Sequence, residues 1–189
     1  MRLFDRNLEE HRRTFEALAA LRGAVERTAL TLADCLRAGH KILFCGNGGS
    51  AADSQHLAAE LTGRFLRDRA PLAAIALSTD TSALTCIGND YGFEHVFERQ
   101  VQALGRAGDV LVAISTSGHS PNILRAARAA RAGGLVTVAL AGRDGGELAR
   151  VCDDAVVVPC AATARVQEAH IFIGHTWCGL IEEHLGIAG

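Results

Sequence analysis

Five short apolar runs recur along the 189-residue chain, and each is followed by a stretch with helical spacing. The runs are Lys41–Cys45, Leu72–Leu77, Val110–Ile114, Leu135–Leu140 and Ala155–Val158. The stretches between and after them predict helices over 50–63, 80–88, 93–104, 121–132, 145–150 and 164–185. Strands this apolar are buried on both faces, which is the signature of a parallel sheet. Alternation with helices predicts an α/β three-layer sandwich around a five-stranded parallel sheet, with right-handed crossovers. Ligands of such sheets gather at the carboxyl ends of the strands. Here those ends are Gly46–Ser50, Ser78–Thr81, Ser115–Ser120 and Ala141–Gly146.

Residues 1–38 precede the first strand and read as N-terminal helices. Leu8, Phe15, Leu18, Leu21, Val25, Leu32 and Leu36 recur at roughly helical spacing. Gly23 is the expected dividing point. So long a prelude either docks on its own domain or packs against another subunit. With no internal repeat or linker, residues 1–189 read as a single domain. A net charge of −2 and a pI near 6.4 argue against a broad nucleic-acid face. Arg125, Arg128 and Arg131 recur every three residues, and a solvated helix face accounts for them. The six cysteines form no C-x-x-C pair and sit largely in apolar runs, as reduced thiols of a cytoplasmic protein do. No signal-peptide apolar region follows Met1, and no apolar run is long enough to span a bilayer.

The turn Cys45-Gly46-Asn47-Gly48-Gly49-Ser50 follows the first strand and opens a helix. Glycines there allow positive φ and the close approach of a ligand. Free N–H groups at a helix start attract anions, and Ser50 is the expected N-cap. His56 and Glu60 follow, four apart on one helix face. Such a pair is commonly only a surface contact; its place just beyond the glycine turn makes it a candidate for proton transfer or metal ligation.

The second informative loop is Ser115-Thr116-Ser117-Gly118-His119-Ser120-Pro121-Asn122. Four hydroxyls crowd a strand end, with Ser120 placed as N-cap and Pro121 as the first helical residue. Hydroxyls and open N–H groups suit a phosphate. The G-x-x-x-x-G-K-[ST] pattern of nucleotide-binding loops is absent. The last predicted helix contains Gln167, His170 and His175 among apolar neighbours, where a polar group needs a partner. Asn89-Asp90-Tyr91-Gly92 reads as a polar break between helices.

Taken together, these segments resemble the sugar isomerase (SIS) domain family and, within it, the phosphoheptose isomerases. The likeness rests on Gly46–Asp53, Gln55-His56, Ala59–Leu61, Thr79–Leu84, Gly88–Gly92, Ser115–Gly118 and Arg165–Glu168, in that order. It implies a flavodoxin-like fold and an aldose–ketose isomerisation of sedoheptulose 7-phosphate to D-glycero-D-manno-heptose 7-phosphate through an enediol. It implies a homotetramer with active sites between subunits and one zinc per subunit. By resemblance, His56, Glu60, Gln167 and His175 match zinc ligands, and Glu60 and His175 match the acid/base pair. Asn47, Gly48, Gly49, Glu60, Asn89, Asp90, Ser115, Thr116, Ser117, Ser120 and Gln167 match substrate contacts. His119 departs from the family pattern. Gln167 and His175 are eight residues apart, about 12 Å along a straight helix, so sharing one metal requires leaning side chains or an irregular helix start. A binding protein of the same fold, associated with the bacterial replication initiator, resembles the chain in the glycine turn and the Arg-x-Gln-Glu segment. It lacks the groups matching Glu60 and His175. Sugar-phosphate-sensing regulators add a DNA-binding domain, for which this chain leaves no length.

Overall fold

The computed structural model describes residues 2–187. Met1, at the head of the expected helical prelude, and Ala188 and Gly189 lie outside the described residues. Five strands form one parallel sheet: β1 (Ile42–Gly46), β2 (Ala74–Ala76), β3 (Val110–Ser115), β4 (Val136–Gly142) and β5 (Asp154–Val158). Their order is β2-β1-β3-β4-β5. Ile42 lies beside both Ala74 and Val110, and Val110 beside Val136. The helices are α1 (Leu3–Ala17), α2 (Arg22–Arg37), α3 (Gly49–Thr62), α4 (Thr81–Tyr91), α5 (Glu98–Leu104), α6 (Pro121–Ala132), α7 (Leu148–Val151) and α8 (Thr163–His184).

Strand alternation sends successive side chains to opposite faces. Ile42, Phe44, Val112, Ile114, Val138, Leu140 and Val156 build one core with α2, α3 and α8. Leu43, Cys45, Leu111, Ala113 and Ala139 build the other with α4 to α7. From β1 the chain crosses to the β2 edge, then returns past β1 to start β3. That reversal opens a crevice between the carboxyl ends of β1 and β3, where such folds bind ligands.

The prelude divides earlier than expected, through a 3-10 turn over Leu18–Leu21 and not at Gly23. A 3-10 turn aligns residues i and i+3, and here both Leu18 and Leu21 meet the core. Gly23 stays exposed inside the first turn of α2, where glycine costs only about 1 kcal/mol. Val25, Ala29, Leu32 and Ala33 bury α2 on the protein's own sheet. Leu3, Phe4 and Leu8 of α1 remain exposed. The segment Asn89–Tyr91 is the last turn of α4, not a break; the helix ends only at Gly92, with φ of 95°. The strand expected over 72–77 is regular only over Ala74–Ala76, with the Ala73 carbonyl and the Leu77 N–H still bonded to β1 at 3.0 and 2.9 Å, and the helix expected over 145–150 is one turn, Leu148–Val151.

Arg128 pairs with Glu147, and Arg131 with Asp153 at 3.2 Å, so the α6 arginines form a solvated, ion-paired face. All six cysteines are free thiols. Burial pushes Cys35 and Cys152 up to about 11 and Cys178 up to about 12, which keeps them protonated and inert. Among the described residues, no helix is long and apolar enough to cross a membrane.

Candidate active site

The turn after β1 is shaped by glycine. Gly48 takes φ 55° and ψ −119°, a conformation that side chains resist, and it is the N-cap of α3. The helix therefore starts before Ser50, which is not the cap. Ser50 is buried, and its carbonyl accepts the Ser54 hydroxyl at 2.8 Å. No side chain caps α3; the Asn47 and Gly48 carbonyls accept the Ser50 and Ala51 N–H groups at 3.0 and 3.1 Å, which leaves the Gly49 N–H at the helix start to meet an anion.

The turn after β3 is a hydroxyl cluster. Ser120 stands at the N-cap of α6 with Pro121 following it, as the sequence indicates, but its hydroxyl does not cap. It lies 3.1 Å from Ser115 Oγ, which is 3.5 Å from Ser117 Oγ and accepts the Gly118 N–H at 3.2 Å. Ser117 Oγ accepts the N–H of the exposed His119 at 3.2 Å. Thr116, half-buried, completes the cluster. The two turns are stitched together: the amides of Asn47 and Asn122 exchange hydrogen bonds at 2.9 and 2.8 Å. Beside them lies an open cleft of about 280 Å³, lined by Asn47, Ser120, Pro121, Asn122, Phe93 and Glu94.

Helices α3 and α8 lie side by side and carry the titratable groups. Gly174 lets them touch, since a Cβ there would sit 2.6 Å from Leu57 Cδ2. Next to those contact residues, His56 just before Leu57 and His175 just after Gly174, the two Nε2 atoms approach to 2.8 Å, and His56 Nε2 lies 3.3 Å from Glu60 Oε1. Ligand atoms of His56, Glu60 and His175 all fall within 4.8 Å of one another. Two imidazoles and a carboxylate are a sound donor set for zinc; bonds of 2.0–2.1 Å at tetrahedral angles put ligand nitrogens about 3.3 Å apart. The His56–Glu60 spacing fits that figure, and the two imidazoles need to part by only about half an ångström.

Gln167 sits two turns before His175 on an uninterrupted α8, so the helix start is regular. Its amide rests against Gly49, where a Cβ would lie 2.7 Å from Gln167 Cδ. This is a second reason for glycine at that turn. Asn89 and Asp90 are exposed on α4; Asn89 donates to Asp90 Oδ1 at 2.7 Å, and Cys86 Sγ lies 3.6 Å from Asp90 Oδ2. In the single chain they face neither turn's hydrogen-bonding groups. Asp80, within another motif segment, caps α4 by accepting the Ala83 N–H at 2.9 Å.

Asp53, one turn before His56, carries no role in the sequence reading. Burial pushes its carboxyl up to about 6, with His56 opposing, and Oδ2 has no hydrogen-bond partner. Its signal was position: it shares the site helix with His56, within the glycine-turn motif.

The model of the SIS domain matches residues 8–142. The chain belongs to the SIS domain family. It is 56% identical to the phosphoheptose isomerase of Rhodospirillum rubrum over 162 residues, 86% of each chain. It is 52% identical to phosphoheptose isomerase 1 of Campylobacter jejuni over 181 residues, covering 96% of this chain and 97% of that one. The solved phosphoheptose isomerase of Neisseria gonorrhoeae superposes with a TM-score of 0.91 at 49% identity, covering 95% and 97% of the two chains. Within the SIS family the chain therefore groups with the phosphoheptose isomerases.

Proposed function

We propose that this protein is a cytoplasmic phosphoheptose isomerase that interconverts sedoheptulose 7-phosphate and D-glycero-D-manno-heptose 7-phosphate. The observation that carries the reading is the convergence of Glu60, His56 and His175 from two helices beside the β1–β3 crevice. Relatives of that name at more than 50% identity support the choice of substrate.

Moving a carbonyl from C2 to C1 takes one proton off C1, passes through an enediol and returns a proton to C2, with no external oxidant or reductant. Glu60 is the group that removes the C1 proton as a general base. His175 serves the O1 and O2 protons and so carries the charge from one oxygen to the next. The Ser115, Thr116, Ser117 and Ser120 hydroxyls and the Asn122 N–H at the start of α6 hold the phosphate tail, and Asn47, Gly48, Gly49 and Gln167 face the sugar. Zinc, held by His56, Glu60 and His175 with Gln167 as the fourth candidate, would supply Lewis acidity at the reacting oxygens.

The working unit is a homotetramer with its sites between subunits. Exposed Leu3, Phe4, Leu8 and Phe172 offer apolar surface for that assembly. It also leaves Asn89 and Asp90 free to reach a neighbour's substrate. Light scattering should return a mass about four times 19.9 kDa. The deciding experiment is NMR observation of purified protein with sedoheptulose 7-phosphate. Appearance of an aldoheptose phosphate is expected; no turnover with or without added zinc favours a non-catalytic binding protein of the same fold.

A further inference from the structure

Behind the site, α3 ends and the chain runs without regular structure over residues 63–73. A buried carboxylate anchors this segment. Glu182 on α8 accepts three successive backbone N–H groups: Phe65 on Oε1 at 3.3 Å, and Leu66 and Arg67 on Oε2 at 3.2 and 3.3 Å. Arg69 Nε donates to the same carboxylate at 3.0 Å, with the side chains only 3% and 2% exposed. The rest of the guanidinium closes the end of α3. Nη2 donates to the Glu60 carbonyl at 2.9 Å, and Nη1 to the Leu61 carbonyl at 2.8 Å and the Gly63 carbonyl at 3.3 Å. One ion pair thus ties the backbone of Glu60 to the helix that carries His175. It also delivers Phe65, whose ring stacks on the His175 imidazole at 5.6 Å between centroids and 21° between planes. His56 meets the same imidazole edge-on at 5.1 Å.

We infer that Arg69 and Glu182 are positioning residues: through the 63–70 segment they set Phe65 against His175 and fix the spacing of the Glu60–His175 pair. The pair is remote from the hydroxyl cluster at Ser115–Ser120, so it governs the reacting end of the substrate and not the grip on its phosphate. The chemistry of a fully satisfied carboxylate explains why Glu182 matters as an anion. A glutamine keeps the shape but sets an NH2 against N–H donors.

The inference rests on the isomerase reading, and the experiment separates the two. In Glu182→Gln, kcat for sedoheptulose 7-phosphate should fall about 100-fold with KM held within about 2-fold, as expected for a displaced reacting group. Phe65→Leu leaves the ion pair intact and should lower kcat about 10-fold and move the pH profile of kcat. A second readout needs no turnover. The His175 ring protons, assigned by their loss in His175→Gln, should carry a ring-current shift in wild type that vanishes in both variants. If wild type shows the shift but no turnover, the isomerase reading fails and the positioning of His175 stands. Folded Glu182→Gln with wild-type His175 resonances, or with wild-type kcat, overturns the inference. So does Phe65→Leu with unchanged kcat, pH profile and resonances, even if Glu182→Gln does not fold.

Discussion

The two ends of the sheet treat polar groups in opposite ways. At the amino end, Asp109 is 1% exposed and fully engaged. It accepts the Lys41 N–H at 3.0 Å and the Arg106 N–H at 2.8 Å, and pairs with Lys41 Nζ at 2.5 Å. At the carboxyl end, α3 and α6 start without side-chain caps, and hydroxyls face one another around a cleft. One end spends its hydrogen-bonding capacity on the fold. The other keeps it in reserve, which is what a ligand site on a parallel sheet requires.

Substitutions at each end should therefore separate activity from stability. The largest effect is expected at the open end. Glu60→Gln should lower turnover by about 10³-fold while leaving the melting temperature near wild type; a purified variant that still turns over removes Glu60 as the base. At the closed end, Asp109→Ala leaves the Lys41 ammonium and two N–H groups without their carboxylate. Urea unfolding should register a loss of about 3–5 kcal/mol, with kcat of the folded protein unchanged.

Acid should test the packing between the two ends. His170 of α8 is fully buried; burial pushes its imidazole down to about 4, while the Ala141 carbonyl lies close without meeting hydrogen-bond geometry. A depressed histidine contributes stability that is complete above its unfolded value of 6.5 and is lost as pH falls towards 4. The loss should reach roughly 3 kcal/mol. Burial by itself raises the Asp109 carboxyl, but the hydrogen bonds from Lys41 and Arg106 and the Lys41 charge hold it below its ordinary value. Its contribution is therefore kept above pH 3.8 and lost only in stronger acid. The raised Asp53 carboxyl works the other way over the same range, so the first loss should be read as the wild-type minus His170→Leu difference in unfolding free energy at pH 7, 5.5 and 4, which should fall as the pH does.

Smaller effects follow. Gly48→Ala forces a side chain into φ 55°, which should cost about 1–3 kcal/mol and reshape the turn after β1. Its kinetic signature is a rise in KM. Arg128→Ala removes an exposed pair with Glu147 and should change unfolding free energy by less than about 1 kcal/mol.

The sheet was legible because a central parallel strand must be apolar on both faces, as β1 and β3, buried at every position, are; the edge strands β2 and β5 are only partly buried but keep apolar side chains along Ala74–Ala76 and Ala155–Val158. The His56–Glu60 pair was legible because one helix carries both. His175 became a partner only by resemblance, since local periodicity does not report which helices lie together. The helix division near Leu18 escaped notice because an exposed glycine such as Gly23 is cheap, whereas two inward leucines three apart decide the turn. The Arg69–Glu182 pair escaped because it belongs to no motif. Its signal was a glutamate on the buried face of α8, in one row with His170, Gly174 and Cys178, where an anion needs a partner from outside the helix.

Gly174 makes the α3–α8 seam a gauge as well as a contact. The thickness of a single hydrogen atom at that residue sets how far apart the two imidazoles stand. A methyl there would act as a shim, prising the helices open at the level of His56, Glu60 and His175 while leaving each group chemically intact.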